Sequence, residues 1–156
     1  MSRETEDKDK KMGITGHSRK YRLIGEKLIR NLPEFEDIRE SGALIAYLSS
    51  DEDKRKNYKT VFADCNKVSS RYSWCCKYDF FIVVYEPNVA EFTDEQIKTL
   101  IRHELHHVGI DYSGDELKFY VVPHDVEEFD VIIRECGLHW SDERCREEQT
   151  QKAEKI

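Results

Sequence analysis

Long apolar runs are missing from this chain of 156 residues. No stretch approaches the ~20 apolar residues that a membrane-spanning helix needs. The start, Met1-Ser2-Arg3-Glu4-Thr5-Glu6-Asp7, also lacks the apolar segment of a secretory signal. A cytoplasmic protein with no membrane partner is therefore expected. Cysteine is scarce and odd in number, five in all, which does not read as a disulfide framework. In a reducing compartment these cysteines are thiols. Cys75 and Cys76 are adjacent rather than spaced as C-x-x-C, and nothing in their spacing from Cys65 and Cys136 supports a second metal site. Excess positive charge is absent too. A net charge of −7 argues against broad attraction to nucleic acid.

Hydrophobic residues make up 38% of the chain and charged residues 37%. That balance implies a modest core under a heavily charged surface. The length suits one domain, and no internal repeat or low-complexity linker divides it. Residues 1–18 alternate acid and base without apolar periodicity, and residues 141–156 are polar throughout. Both read as charged tails, the first of them flexible, around a domain at 19–140.

Within that domain the expected order is helix, strands, helix, hairpin, helix. Leu23, Ile24, Leu28, Ile29 and Leu32 give one helical face, closed by Pro33. Residues 43–48 read as a strand and 60–65 as a weaker one. Phe80-Phe81-Ile82-Val83-Val84-Tyr85 is a short continuous apolar run, which suggests a central strand buried on both faces. Residues 117–122 read as a strand after the Ser113-Gly114 turn. The fold class is α+β, a small sheet packed against a helix at 94–108 and a following helix.

The first of these helices carries the chemistry. Thr93-Asp94-Glu95-Gln96 has the form of a capping box. Ile97, Leu100, Ile101, Leu105 and Val108 form an apolar stripe, and Gly109 is expected to end the helix. Inside it, His103-Glu104-Leu105-His106-His107 contains the pattern H-E-x-x-H. Helical positions i and i+4 lie about 40° apart on one face, so His103 and His107 can close on one Zn²⁺ at roughly 2 Å. Glu104 then stands where a general base is needed. His106 is rotated away and reads as a surface or supporting residue.

A catalytic zinc usually has three protein ligands. The segment Pro123-His124-Asp125-Val126-Glu127-Glu128-Phe129 offers His124, Glu127 and Glu128 as candidates for the third. Asp125 with Glu128 resembles a second capping box, and Gly137 fits the end of that helix. His124 would then sit at its mouth, while the glutamates can equally serve the helix dipole. Asp111 and Asp125 are candidates to accept the second N–H of a ligand histidine. Tyr112 and Tyr120 are candidate oxyanion donors by position.

The run from Ile101 to His107 followed by Val122-Pro123-His124-Asp125-Val126-Glu127-Glu128-Phe129 resembles the phage metallopeptidase family. The resemblance extends upstream through residues 78–84 to about residues 43–48. The arrangement is also similar to SprT-like proteases. These resemblances imply a minimal zincin-like domain and a zinc-dependent metallopeptidase acting on a protein or peptide. They imply His103, His107 and His124 as metal ligands, Glu104 as catalytic base, and a bacterial host cytoplasm as the setting.

Two other readings remain beside it. One is a non-catalytic, zinc-stabilised binding or anti-defence module. The other is a DNA-associated protease of the SprT-like kind. For that reading Lys54, Arg55, Lys56 and Lys59, with Lys67, Arg71 and Lys77, would meet phosphates, and Tyr72 and Trp74 would stack on bases. The competing view of this stretch is a solvated loop with its two aromatic residues tucked into the core.

Overall fold

A computed structural model describes residues 13–141. They divide into two compact units at the Val122–Pro123 bond. The first unit opens with β1 (Ile14–His17), α1 (Arg19–Asn31), a 3₁₀ turn (Pro33–Phe35) and α2 (Glu36–Ser41). There follow β2 (Ile45–Ser50), a two-residue ribbon of β3 (Arg55–Lys56) and β4 (Lys59–Thr60), then β5 (Ala63–Lys67) and β6 (Phe80–Tyr85). The short α3 (Glu86–Val89), the motif helix α4 (Asp94–His106) and the hairpin β7 (Val108–Asp111) with β8 (Lys118–Val121) complete it. The second unit contains α5 (Asp130–Cys136). The protein is α+β, with a small sheet and several helices. Among the described residues no helix is long and apolar enough to cross a membrane.

The main sheet has the order β1-β2-β6-β5. β6 lies inside it, parallel to β2 and antiparallel to β5. Its side chains alternate between faces, as a period of two requires. Phe80, Ile82 and Val84 join Tyr47 and the helical residues Tyr21, Leu28, Ile97, Ile101 and Leu105 in the main core. Val83 and Tyr85 join Ala46 and Leu48 in a smaller cluster. Both faces of β6 are thus covered, which is why its sequence reads as an unbroken apolar run. α1 packs closely on this core at Gly25, where an added Cβ would collide with the ring of Tyr47.

Several expectations shift. Ile14–His17, within the segment read as an N-terminal tail, pair with β2. The pairing is irregular between Ile14 and Gly16, as a bulge at a sheet edge would make it. Residues 1–12 and 142–156, the rest of the two tail assignments, lie outside the described residues. The weak strand expected at 60–65 is split, with β4 ending at Thr60 and β5 beginning at Ala63. Tyr72 and Trp74 are 52% and 85% exposed, not tucked into the core. Gly109 does not end a helix but lies in β7 under Tyr120, whose ring comes within 2.6 Å of where a Cβ would stand. Absence of a side chain there serves close packing rather than a left-handed turn.

The helix of the second unit starts later than its sequence suggests. Phe129 is its N-cap and makes no side-chain capping bond. Glu128 does not serve a capping box with Asp125. Its Oε1 accepts the N–H of Phe129 at 2.8 Å and its Oε2 accepts the indole N–H of Trp140 at 2.8 Å. His124 therefore lies in the stretch before α5 rather than at its first turn. Gly137 does follow the helix, with φ of 81°.

Candidate metal centre

The capping box of α4 is complete. Thr93 Oγ1 accepts the N–H of Gln96 at 3.2 Å, and Gln96 Oε1 accepts the N–H of Thr93 at 2.9 Å. Two otherwise unsatisfied donors of the first turn are thereby paired. Ile97, Ile101 and Leu105 fix the buried stripe. With start and rotation set, the exposed His103 and half-buried His107 fall on one face. Their ring centroids lie 5.1 Å apart with planes at 74°.

α4 ends at His106, and His107 is its C-cap, still in right-handed helical conformation. The chain then passes straight into β7. Because β7 pairs with β8, Val122 arrives opposite His107. The N–H of Val122 donates to the His107 carbonyl at 2.8 Å. In return His107 Nδ1 lies 2.6 Å from the Val122 carbonyl oxygen. A carbonyl can only accept, so Nδ1 carries the proton. In the neutral ring Nε2 is then left with its lone pair, the form a metal requires.

Glu104 is 4% exposed. Burial, and secondarily the negative charge of Asp64, push its carboxyl up from 4.5 to about 7. Asp64 is itself held, accepting from Lys54 Nζ and from the Tyr85 hydroxyl, each at 2.7 Å. The Cys65 thiol is pushed up to about 12 by burial and by the charges of Glu104 and Asp64. It is a protonated thiol at neutral pH and a poor metal ligand.

His103 and His107 in the first unit and His124 in the second are a set of residues that could hold a metal ion. Three imidazoles suit a borderline-soft divalent ion such as zinc.

Beside His103 and Glu104 a groove of about 600 Å³ follows α4 toward its N-terminus. Thr99 and Leu100 line it from the helix, with Val61, Phe62 and Ala63 across from them and Phe92 nearby.

The family model described as "Putative phage metallopeptidase" matches residues 14–153. The chain belongs to this family. Membership in the phage metallopeptidases implies a metal and a protein or peptide substrate. No curated protein matches the chain, and no solved structure matches it.

Other residues singled out from the sequence are engaged elsewhere. His106 Nε2 lies 3.2 Å from Glu34 Oε2, and its ring packs on Phe35 at 5.0 Å. Arg102 joins the same carboxylate through two bonds of 2.6 and 2.9 Å. Together they tie α4 to the 3₁₀ turn. Tyr112 donates its hydroxyl to the Asp37 carbonyl at 3.1 Å. The Tyr112 hydroxyl is thus engaged by α2. Tyr120 covers Gly109. Asp111 accepts the N–H and hydroxyl of Ser113 at 2.8 and 2.6 Å, so it closes its own turn. The acceptor for His107 is instead the Val122 carbonyl, which no side-chain pattern announces. Asp64 was equally invisible to spacing, since it lies 40 positions before Glu104 in the sequence. Lys54, counted among the basic residues, is engaged by Asp64 and Tyr85.

Proposed function

We propose that this phage metallopeptidase is a zinc-dependent hydrolase of the H-E-x-x-H type, with His103, His107 and His124 as metal ligands and Glu104 as general base. The observation that carries the reading is the buried Glu104 carboxyl, with an affinity for protons suited to neutral pH, three positions from His107, whose tautomer is fixed for ligation. For the third ligand, His124 is supported over Glu127 and Glu128 because it completes a set of three imidazoles. Glu128 also has both carboxylate oxygens engaged within its own unit.

A bound zinc ion would supply Lewis acidity toward the scissile carbonyl and make water more acidic. Glu104 takes a proton from the attacking water as its oxygen bonds to the carbonyl carbon. Glu104 then delivers that proton to the amide nitrogen as the C–N bond breaks. One carboxylate thus serves as base and then as acid, and it ends the cycle ionised. His107 contributes orientation through Val122. We assign the protein to the cytoplasm of a bacterial host.

Metal content per chain, measured by mass spectrometry on the parent and on His124→Ala, tests the ligand set. About one zinc per parent chain and a marked loss in the variant are expected. Full retention by the variant would move the third ligand to Glu127 or Glu128. No metal in the parent after zinc is supplied would overturn the reading.

A second reading, a DNA-associated protease, draws support from Tyr72 and Trp74, which stand exposed beside Arg71. It expects single-stranded DNA to bind at low salt and to be released as salt rises. No binding at low salt ends it.

A further inference from the structure

The groove beside Glu104 is not used by the bond-breaking chemistry. Its α4 wall comprises Glu95, Gln96, Thr99, Leu100, His103 and Glu104. These are pairs repeating every four residues, a single face of the helix about 12 Å long from Glu95 to His103. The opposite wall is lined by Val61 and Phe62, in the irregular stretch joining β4 to β5, and by Ala63 at the start of β5. Phe62 and Phe92 pack together with ring centroids 4.9 Å apart. Leu100, Ala63 and Phe92 are themselves packed against the main core. The walls are therefore backed by rigid structure, yet Phe62 remains 41% exposed.

We infer that this groove receives a large apolar side chain, leucine or phenylalanine, from the residue flanking the scissile bond of an extended polypeptide substrate. The inference rests on the metallopeptidase reading of the same site. Location supports it first, because the groove runs continuously to His103 and Glu104, where the bond is cut. Chemistry supports it next. An apolar side chain laid between Val61, Phe62 and Leu100 removes exposed apolar surface from water. An acidic side chain would meet the carboxyl groups of Glu95 and Glu104, which stand on the same helical face. Size agrees as well, since about 600 Å³ falls within the range of pockets that enclose a bulky group and its flanking backbone.

The test uses amide NMR spectra of zinc-supplied Glu104→Gln titrated with two capped peptides, identical except for phenylalanine or alanine at one position. The phenylalanine peptide is expected to shift the amide signals of Phe62, Ala63, Thr99 and Leu100. It should bind at least about tenfold more tightly than the alanine peptide. Adding Thr99→Trp, at an exposed position that can tolerate bulk without disturbing the core, should abolish that preference. Equal binding of the two peptides, or shifts confined to other parts of the chain, overturns the inference. Cleavage assays on the zinc-loaded parent separate the two levels of the argument. Phenylalanine-selective docking with no hydrolysis of any peptide leaves the groove standing and removes the peptidase reading. Hydrolysis of both peptides at equal efficiency does the reverse.

Discussion

His107 and Val122 hold each other through two reciprocal hydrogen bonds, the Val122 N–H to the His107 carbonyl at 2.8 Å and His107 Nδ1 to the Val122 carbonyl at 2.6 Å. The pair continues the β7–β8 ladder by one step, past Val108 and Val121. A backbone hairpin thereby sets the tautomer and orientation of a side chain at the end of α4.

Val122→Pro removes the donating N–H and disturbs the carbonyl that receives Nδ1. Loss of such a supporting bond typically costs 10–100-fold in metal affinity. A competition titration against a chromogenic chelator should show zinc affinity falling by roughly that factor. Affinity within about twofold of the parent would mean the bond does not orient the ligand.

Burial of Glu104 gives the metal-free protein a defined pH dependence. Its carboxyl is raised in the folded state, so folding favours the protonated form. The associated stability is fully present below pH 4.5 and is lost as pH rises through about 7. Glu104→Gln keeps the shape and removes the ionisation. In chelator at pH 8 the variant should be more stable than the parent by up to roughly 3 kcal/mol, relative to their difference at pH 4. Urea unfolding at the two pH values measures this, and a difference independent of pH would contradict it.

Gly109 and Tyr120 are coupled by close approach. A methyl group at position 109 would meet the Tyr120 ring at 2.6 Å. Gly109→Ala should destabilise by about 1–3 kcal/mol, the usual cost of forcing bulk into a packed site. Tyr120→Ala in the same chain should recover much of that loss, and a double-mutant cycle would read the coupling. Additive effects of the two changes would show that the ring moves aside freely.

Local signals made part of the protein legible from its sequence. The capping box from Thr93 to Gln96 and the stripe at Ile97, Ile101 and Leu105 place the motif helix, because both depend on residues a few positions apart. β6 was legible because burial on both faces demands an unbroken apolar run. What escaped depends on contacts distant in sequence. Asp64 affects Glu104 through space, and the Val122 carbonyl reaches His107 only because a hairpin returns the chain. At the second helix the signal itself misled. Glu128 had the residue type and spacing of a capping box with Asp125, yet Phe129 and Trp140 take its carboxylate. Gly109 likewise had the right type for a helix stop, but α4 already ends at His106 and Gly109 falls in β7.

Hydrolysis of an unfolded protein substrate by zinc-loaded parent and Glu104→Gln, at matched metal content, tests the central claim most directly. Removal of a positioned general base should lower kcat/KM by roughly 10²–10⁴-fold while zinc stays bound. Equal rates for the two proteins at equal zinc content would contradict the assignment of Glu104 and the peptidase mechanism built on it.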